Sequence, residues 1–145
     1  MKIFKYLILL VFFINSLIHS QSSEVRSDGN WWITQSNDYK QSYISGFFRG
    51  MMLGFQFTLW GINDLENLSQ YKAQVEKAFR GYEKKYLSNV ANTQIVDGLD
   101  SLYRDYKNRR IHVVRAVWIV VNGIAGMQQE ELDDLIESFR ESSTK

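Results

Sequence analysis

From residue 36 onwards the apolar positions of this chain recur at intervals of three and four, the spacing of one face of an α-helix. No run alternates with the period of two that a half-buried strand requires. Ser36 or Asn37 is placed to cap a first helix running to about residue 60, with Tyr43, Phe47, Met51 and Phe55 on one stripe. A second stripe of small residues, Ser42, Gly46, Gly50, Gly54 and Thr58, runs beside it. A glycine inside a helix costs about 0.5 to 1 kcal/mol relative to alanine, so three together predict a compensating close approach of another backbone. Arg49, next to that stripe, is then expected to face a neighbouring helix and to pair with Asp97 or Asp100.

Residues 61–67 read as a loop, and residues 69–87 as a helix with Tyr71, Val75, Ala78, Tyr82 and Tyr86 on one side. Hydroxyls on that side have to reach water or a partner, which predicts a peripheral helix. Asn92 or Thr93 caps a short helix to Tyr103 that turns Val96 and Leu99 inward, and the polar run 104–110 ends it. Residues 111–125 are apolar except at His112, Arg115 and Asn122, the pattern of a helix buried on most of its circumference. Gly123 and Gly126 can close it, and residues 128–140 form a last amphipathic helix with Leu132, Leu135, Ile136 and Phe139 inward. The expectation is an all-α compact bundle of about five helices, with residues 111–125 central and the glycine face of the first helix packed against them.

The first 20 residues change the picture of where this bundle works. Lys2 and Lys5, an apolar run over 6–14 and a polar break at Asn15 and Ser16 have the three-part organisation of a cleavable signal peptide, with cleavage after Ser20. The apolar run is too short for the roughly 20 residues that span a bilayer, so no stable membrane anchor is expected after cleavage. Residues 21–35 read as a flexible lead-in, 36–140 as the helical domain and 141–145 as a frayed tail. A mature chain of about 125 residues allows one domain. Lys and Arg number 17 against 16 Asp and Glu, and loss of Lys2 and Lys5 with the leader leaves a single net negative charge. No basic footprint for nucleic acid is present. The chain has neither proline nor cysteine, which favours uninterrupted helices and excludes a thiol nucleophile, a thiolate metal site and a cysteine-linked lipid anchor.

Candidate chemistry is sparse. A mature chain with one histidine, His112, has no histidine triad and no multi-histidine metal site, and a residue at the start of a helix is satisfied by local backbone. No metal site, cofactor or catalytic residue is therefore assigned. The densest polar cluster, Asp97, Asp100, Tyr103, Asp105, Arg109 and Arg110, is the candidate binding surface. Its carboxylates are expected mainly in salt pairs with the arginines, and Asn108 serves as a structural cap. Trp31 and Trp32 either fold back onto the core or anchor a partner.

Three stretches carry a resemblance: Tyr43, Gly46, Phe47 and Gly50; Gly98, Leu99, Tyr103 and Asp105; and Asn108, Arg109, Ile111, Ala116 and Gly126. Together they are similar to a group of small exported bacterial helical proteins of unknown function, in which a Tyr-x-x-Gly-Phe-x-x-Gly helix precedes a Tyr-x-Asp, Asn-Arg-x-Ile segment. More distantly, the order of elements resembles the periplasmic immunity proteins that inhibit amidase effectors of type VI secretion. The resemblance implies bacterial export and a helical bundle. The resulting expectation is a periplasmic or secreted, non-enzymatic binding or immunity-like protein that meets a protein partner. The alternatives are a small-ligand-binding protein or hydrolase using the 97–110 cluster, and a membrane-associated oligomer built on Gly46, Gly50 and Gly54.

Overall fold

The computed structural model describes residues 27–64 and 71–143. The leader, the lead-in as far as residue 26, residues 65–67 of the expected loop, residues 68–70 and the last two residues lie outside them. Six α-helices follow one another: α1 (Gly29–Trp32), α2 (Asn37–Asp64), α3 (Lys72–Tyr86), α4 (Asn92–Arg104), α5 (Val113–Ile124) and α6 (Gln129–Ser142), with a 3-10 turn, Tyr106–Asn108, between α4 and α5. The described residues form an all-α bundle with no strand.

As the apolar run predicts, α5 is the centre. Val113, Ala116, Val117, Ile119, Val120 and Val121 are all buried, and α3, α4 and α6 pack around this helix. It ends where Gly126 adopts φ 86°, a left-handed turn that lets the Gly126 and Met127 amides reach the carbonyls of Gly123 and Asn122. The close contact that a glycine permits occurs between α4 and α5, where a side chain of α5 lies on the backbone of α4. A Cβ on Gly98 would stand 2.5 Å from Val120 Cγ1, so only glycine admits the β-branched side chain there. Helix α3 is peripheral, as its tyrosines predict, and has no buried residue. Tyr82 lies flat against Trp118 with ring centroids 5.8 Å apart, and Tyr86 leans on the same indole at 5.5 Å.

Five sequence expectations need correction. Gly46, Gly50 and Gly54 do not touch α5: a Cβ built on any of them meets no atom within 4 Å, and all three are exposed. Their stripe lies opposite the inward side of α2, where Ile44 is buried and Tyr43, Phe47 and Phe48 pack on the core. Helix α2 also continues through Gly61 to Asp64, because no proline interrupts its hydrogen bonds. The domain starts before residue 36, since Asp28 caps α1 by accepting from the Asn30 and Trp31 amides, and Gly29 and Trp32 are buried. Ala91, not Asn92 or Thr93, stands at the start of α4, its own N–H donated to Gln94 Oε1 at 2.9 Å. His112, not Asn108, caps α5, with Nδ1 accepting from the Val114 amide at 3.3 Å, because the 3-10 turn carries Asn108 away into the interior.

Within a single chain, a helix-interior glycine with open space beside it makes no packing contact that offsets its cost. Gly54→Ala and Gly81→Ala should each therefore stabilise the fold by about 0.5 to 1 kcal/mol, read as a raised denaturation midpoint. Lower stability in both variants would mean that α2 and α3 are covered where the structure leaves them open.

Candidate interaction surface

The residues of the 97–110 cluster do not converge on a common cavity. Asp100 turns inward, where its Oδ1 accepts from Trp32 Nε1 and from Lys40 Nζ, each at 2.7 Å. Lys40 is the basic partner that Arg49 was expected to be. Its side chain is 11% exposed, and its ammonium lies 5.5 Å from the centre of the Trp32 ring. Arg49 is exposed, and no described residue pairs with it. The reason is rotational: Lys40 and Ile44 lie one turn apart on the inward line of α2, whereas Arg49 lies on the outward side.

The remaining members build the connector. Asp105 accepts from the Lys107 amide and pairs with Arg140 at 3.1 Å, tying α6 to the end of α4. Buried Asn108 donates to the Leu102 carbonyl and accepts from Arg140 Nε, both at 2.8 Å, so it staples α4 to α6. Arg109 donates to the Tyr103 carbonyl, and its own carbonyl accepts from the backbone and side chain of Asn30. Asp97 and Arg110 are exposed on separate elements. Among the described residues no group of histidine and carboxylate side chains is arranged to hold a metal ion. Of the two expected anchors, Trp32 belongs to the core and Trp31, half-buried, packs against it. Trp32 is fully buried, and Trp31 packs edge-on against Tyr39 and Tyr43 at 5.9 and 5.3 Å.

Tyr103 is buried with its hydroxyl donating to the Ile111 carbonyl at 3.0 Å. Burial pushes the phenol well above its ordinary pKa, and the nearby charges of Asp28 and Tyr43 add to the shift. A tyrosine that ionises less readily when folded leaves stability unchanged below about pH 10 and withdraws it above, because there the unfolded chain releases a proton that the folded one keeps. Chemical denaturation between pH 9 and 11 should show this fall. Tyr103→Phe should flatten it while costing about 1 kcal/mol at neutral pH for the carbonyl left without a donor. A fall of equal steepness in the variant would assign it to other groups.

What the cluster lacks in convergence, the outward side of α2 offers as area. Leu53, Phe57 and Trp60 are 53, 62 and 59% exposed, and Phe57 meets Trp60 edge-to-face at 5.3 Å. The opposite side of the same stretch is occupied, since Phe55 stacks on Phe79 of α3 at 3.7 Å. Arg49 is the single charged side chain between Gln41 and Ile62. Three exposed large apolar side chains on one face of one helix make a patch of the kind that marks an interaction site. The sequence held its trace: positions 53, 57 and 60 have helical spacing and fall outside the 43, 47, 51 and 55 stripe.

Elsewhere the surface is shallow. An apolar groove of about 370 Å³ opens over α5 between α4 and α6, with Leu102, Ile119, Ile124 and Leu132 in its walls. A polar cleft of about 480 Å³ lies between the connector and α6, bordered by Tyr106, Lys107, Arg110, Glu137 and Arg140. Comparison with protein-family models, with curated proteins and with solved structures gives no match. Among the described residues no helix is long and apolar enough to cross a membrane.

Proposed function

We propose that this chain is an exported, non-enzymatic helical protein of the bacterial periplasm that acts by binding another protein, in the manner of an immunity protein, through the outward face of α2. The exposure of Leu53, Phe57 and Trp60 on one side of that helix carries the reading. Aromatic anchors with few rotatable bonds supply contact area at low entropic cost, which is why such residues dominate the binding energy of protein interfaces. The structural duties of Asp100, Tyr103, Asp105 and Arg109, and the separate exposed positions of Asp97 and Arg110, favour surface binding over hydrolysis at that cluster. Export rests on the charged start, short apolar run and polar break of residues 1–20.

The test places a photoreactive phenylalanine analogue at position 57 in the producing cell, with the same analogue at the exposed Val114 of α5 as a control. The reading expects a discrete protein adduct from position 57 alone. Adducts at neither position, or equally at both, would remove the interaction surface. Sequencing the amino terminus of the mature chain tests export independently, and an intact Met1 would contradict it.

A further inference from the structure

The outward face of α2 divides into two halves of opposite size. Its first half presents Ser42, Gly46 and Gly50, and its second presents Leu53, Phe57 and Trp60. Steps of four, three, four and three residues from 46 through 50, 53 and 57 to 60 keep these positions within about 40° of a common line on an α-helix. A Cβ added to Gly46 or Gly50 meets nothing within 4 Å, so the first half is an open trough, while the second half stands proud as a ridge. A trough and a ridge in line on one rigid helix are complementary when one copy is turned end for end against another. From this geometry we infer that the partner of this face is a second copy of the chain, docked antiparallel about a two-fold axis passing between residues 51 and 52. The inference rests on the reading of the α2 face as a protein-binding surface.

That axis sets Gly46 against the partner's Phe57, Gly50 against the partner's Leu53, and Ser42 beside the partner's Gly61. Phe57 and Leu53 then each face a glycine, the self-complementarity that an isologous interface demands, and Trp60 falls beside the partner's Tyr43. A parallel pairing instead sets Phe57 on the partner's Phe57 and Gly46 on the partner's Gly46, leaving one end overfilled and the other empty. Charge agrees with the antiparallel choice. Arg49 falls opposite the partner's Gly54, and the two Arg49 positions are offset along the axis by about 7.5 Å; in a parallel pair they would lie side by side. Area also suffices. At about 150 to 250 Å² for each whole aromatic side chain, the exposed parts of Leu53, Phe57 and Trp60 supply at most about 800 Å² over two copies, and the open glycine backbone between them supplies the remainder of the about 1,000 Å² that a specific interface buries.

The absence of cysteine makes the test clean. Ser42→Cys and Gly61→Cys chains, mixed and mildly oxidised, should form a disulfide-linked heterodimer, and neither should cross-link to itself, because the two positions 42 lie about 28 Å apart in the antiparallel pair. Light scattering should give a dimer mass at about 100 μM, and Gly46→Leu, which fills the trough, should weaken association at least about tenfold with unchanged helicity. A monomer at every concentration overturns the inference, as does self-linking of Ser42→Cys or association that appears only with lipid vesicles. If the purified chain stays monomeric while the position-57 adduct has the mass of a different protein, self-pairing fails and the binding reading stands. If no adduct forms and the chain is monomeric, both fail.

Discussion

Replacing Asp100 with alanine lowers the stability of this fold by about 2 to 3 kcal/mol, with Lys40 as the cause. The Lys40 side chain is 11% exposed, and its ammonium has one carboxylate within reach, 2.7 Å away. Removing that carboxylate leaves a charge in the interior and deprives Trp32 Nε1 of its acceptor at the same time. Breaking a fully buried pair costs about 3 to 5 kcal/mol. Asp100 is 40% exposed, so water screens part of the loss and the lower figure applies. Lys40→Met should be far milder, and the double variant Asp100→Ala, Lys40→Met should recover most of what Asp100→Ala loses. Urea titration of the three variants checks the cycle, with the exposed Asp97→Ala as the surface reference. A cost at Asp100 no larger than at Asp97 would show the pair to be incidental.

A loss of about 3 kcal/mol is likewise expected for Gly29→Ala. The added methyl would lie 2.6 Å from Tyr103 Cε1 and 2.8 Å from Arg109 Cα. Neither neighbour gives way easily. The tyrosine ring is pinned by its hydrogen bond to the Ile111 carbonyl, and the arginine atom is backbone, held by the Asn30 contacts to its carbonyl. Overpacking of this kind costs about 1 to 3 kcal/mol, and contact with backbone places it at the upper end. Thermal melts of Gly29→Ala beside Gly54→Ala give the contrast: the same chemical change should lower the midpoint at the first site and raise it at the second. Equal behaviour would mean that α1 is not seated in the core.

Helix periodicity made the five long helices legible, along with the central position of residues 113–124 and the peripheral place of α3, because each depends on which residues share a face. What covers a face is a different question, and Gly46, Gly50 and Gly54 show why the pattern does not answer it. A line of small residues reads the same whether it touches a neighbouring backbone or open water. The glycine that permits close helix approach, Gly98, stands alone in α4 and has no periodic signature. Lys40 was missed for a related reason. It extends the inward line of Ile44 back by one turn, yet a lysine at a helix start looks like a solvated charge until Asp100, 60 positions away, is seen beside it. The cluster at 97–110 was dense in sequence because it joins two helices, and the duties of Asp105, Asn108 and Arg109 in that junction consume the groups that catalysis would need.

Ser27 and Asp28 are held against the start of α5, where the Val113 amide donates to the Ser27 carbonyl at 2.7 Å, Ser27 Oγ lies 3.2 Å from His112 Nε2, and Asp28 bridges to His112. This clasp joins the first described residues to the middle of the chain, so it sets a limit on processing. A protease that trims the chain anywhere ahead of Ser27 leaves these bonds intact. One that cuts after Asp28 would strip α1 of its cap and α5 of its outermost acceptor in a single event. The folded unit thus carries its own gauge of how much of its amino-terminal segment can be removed.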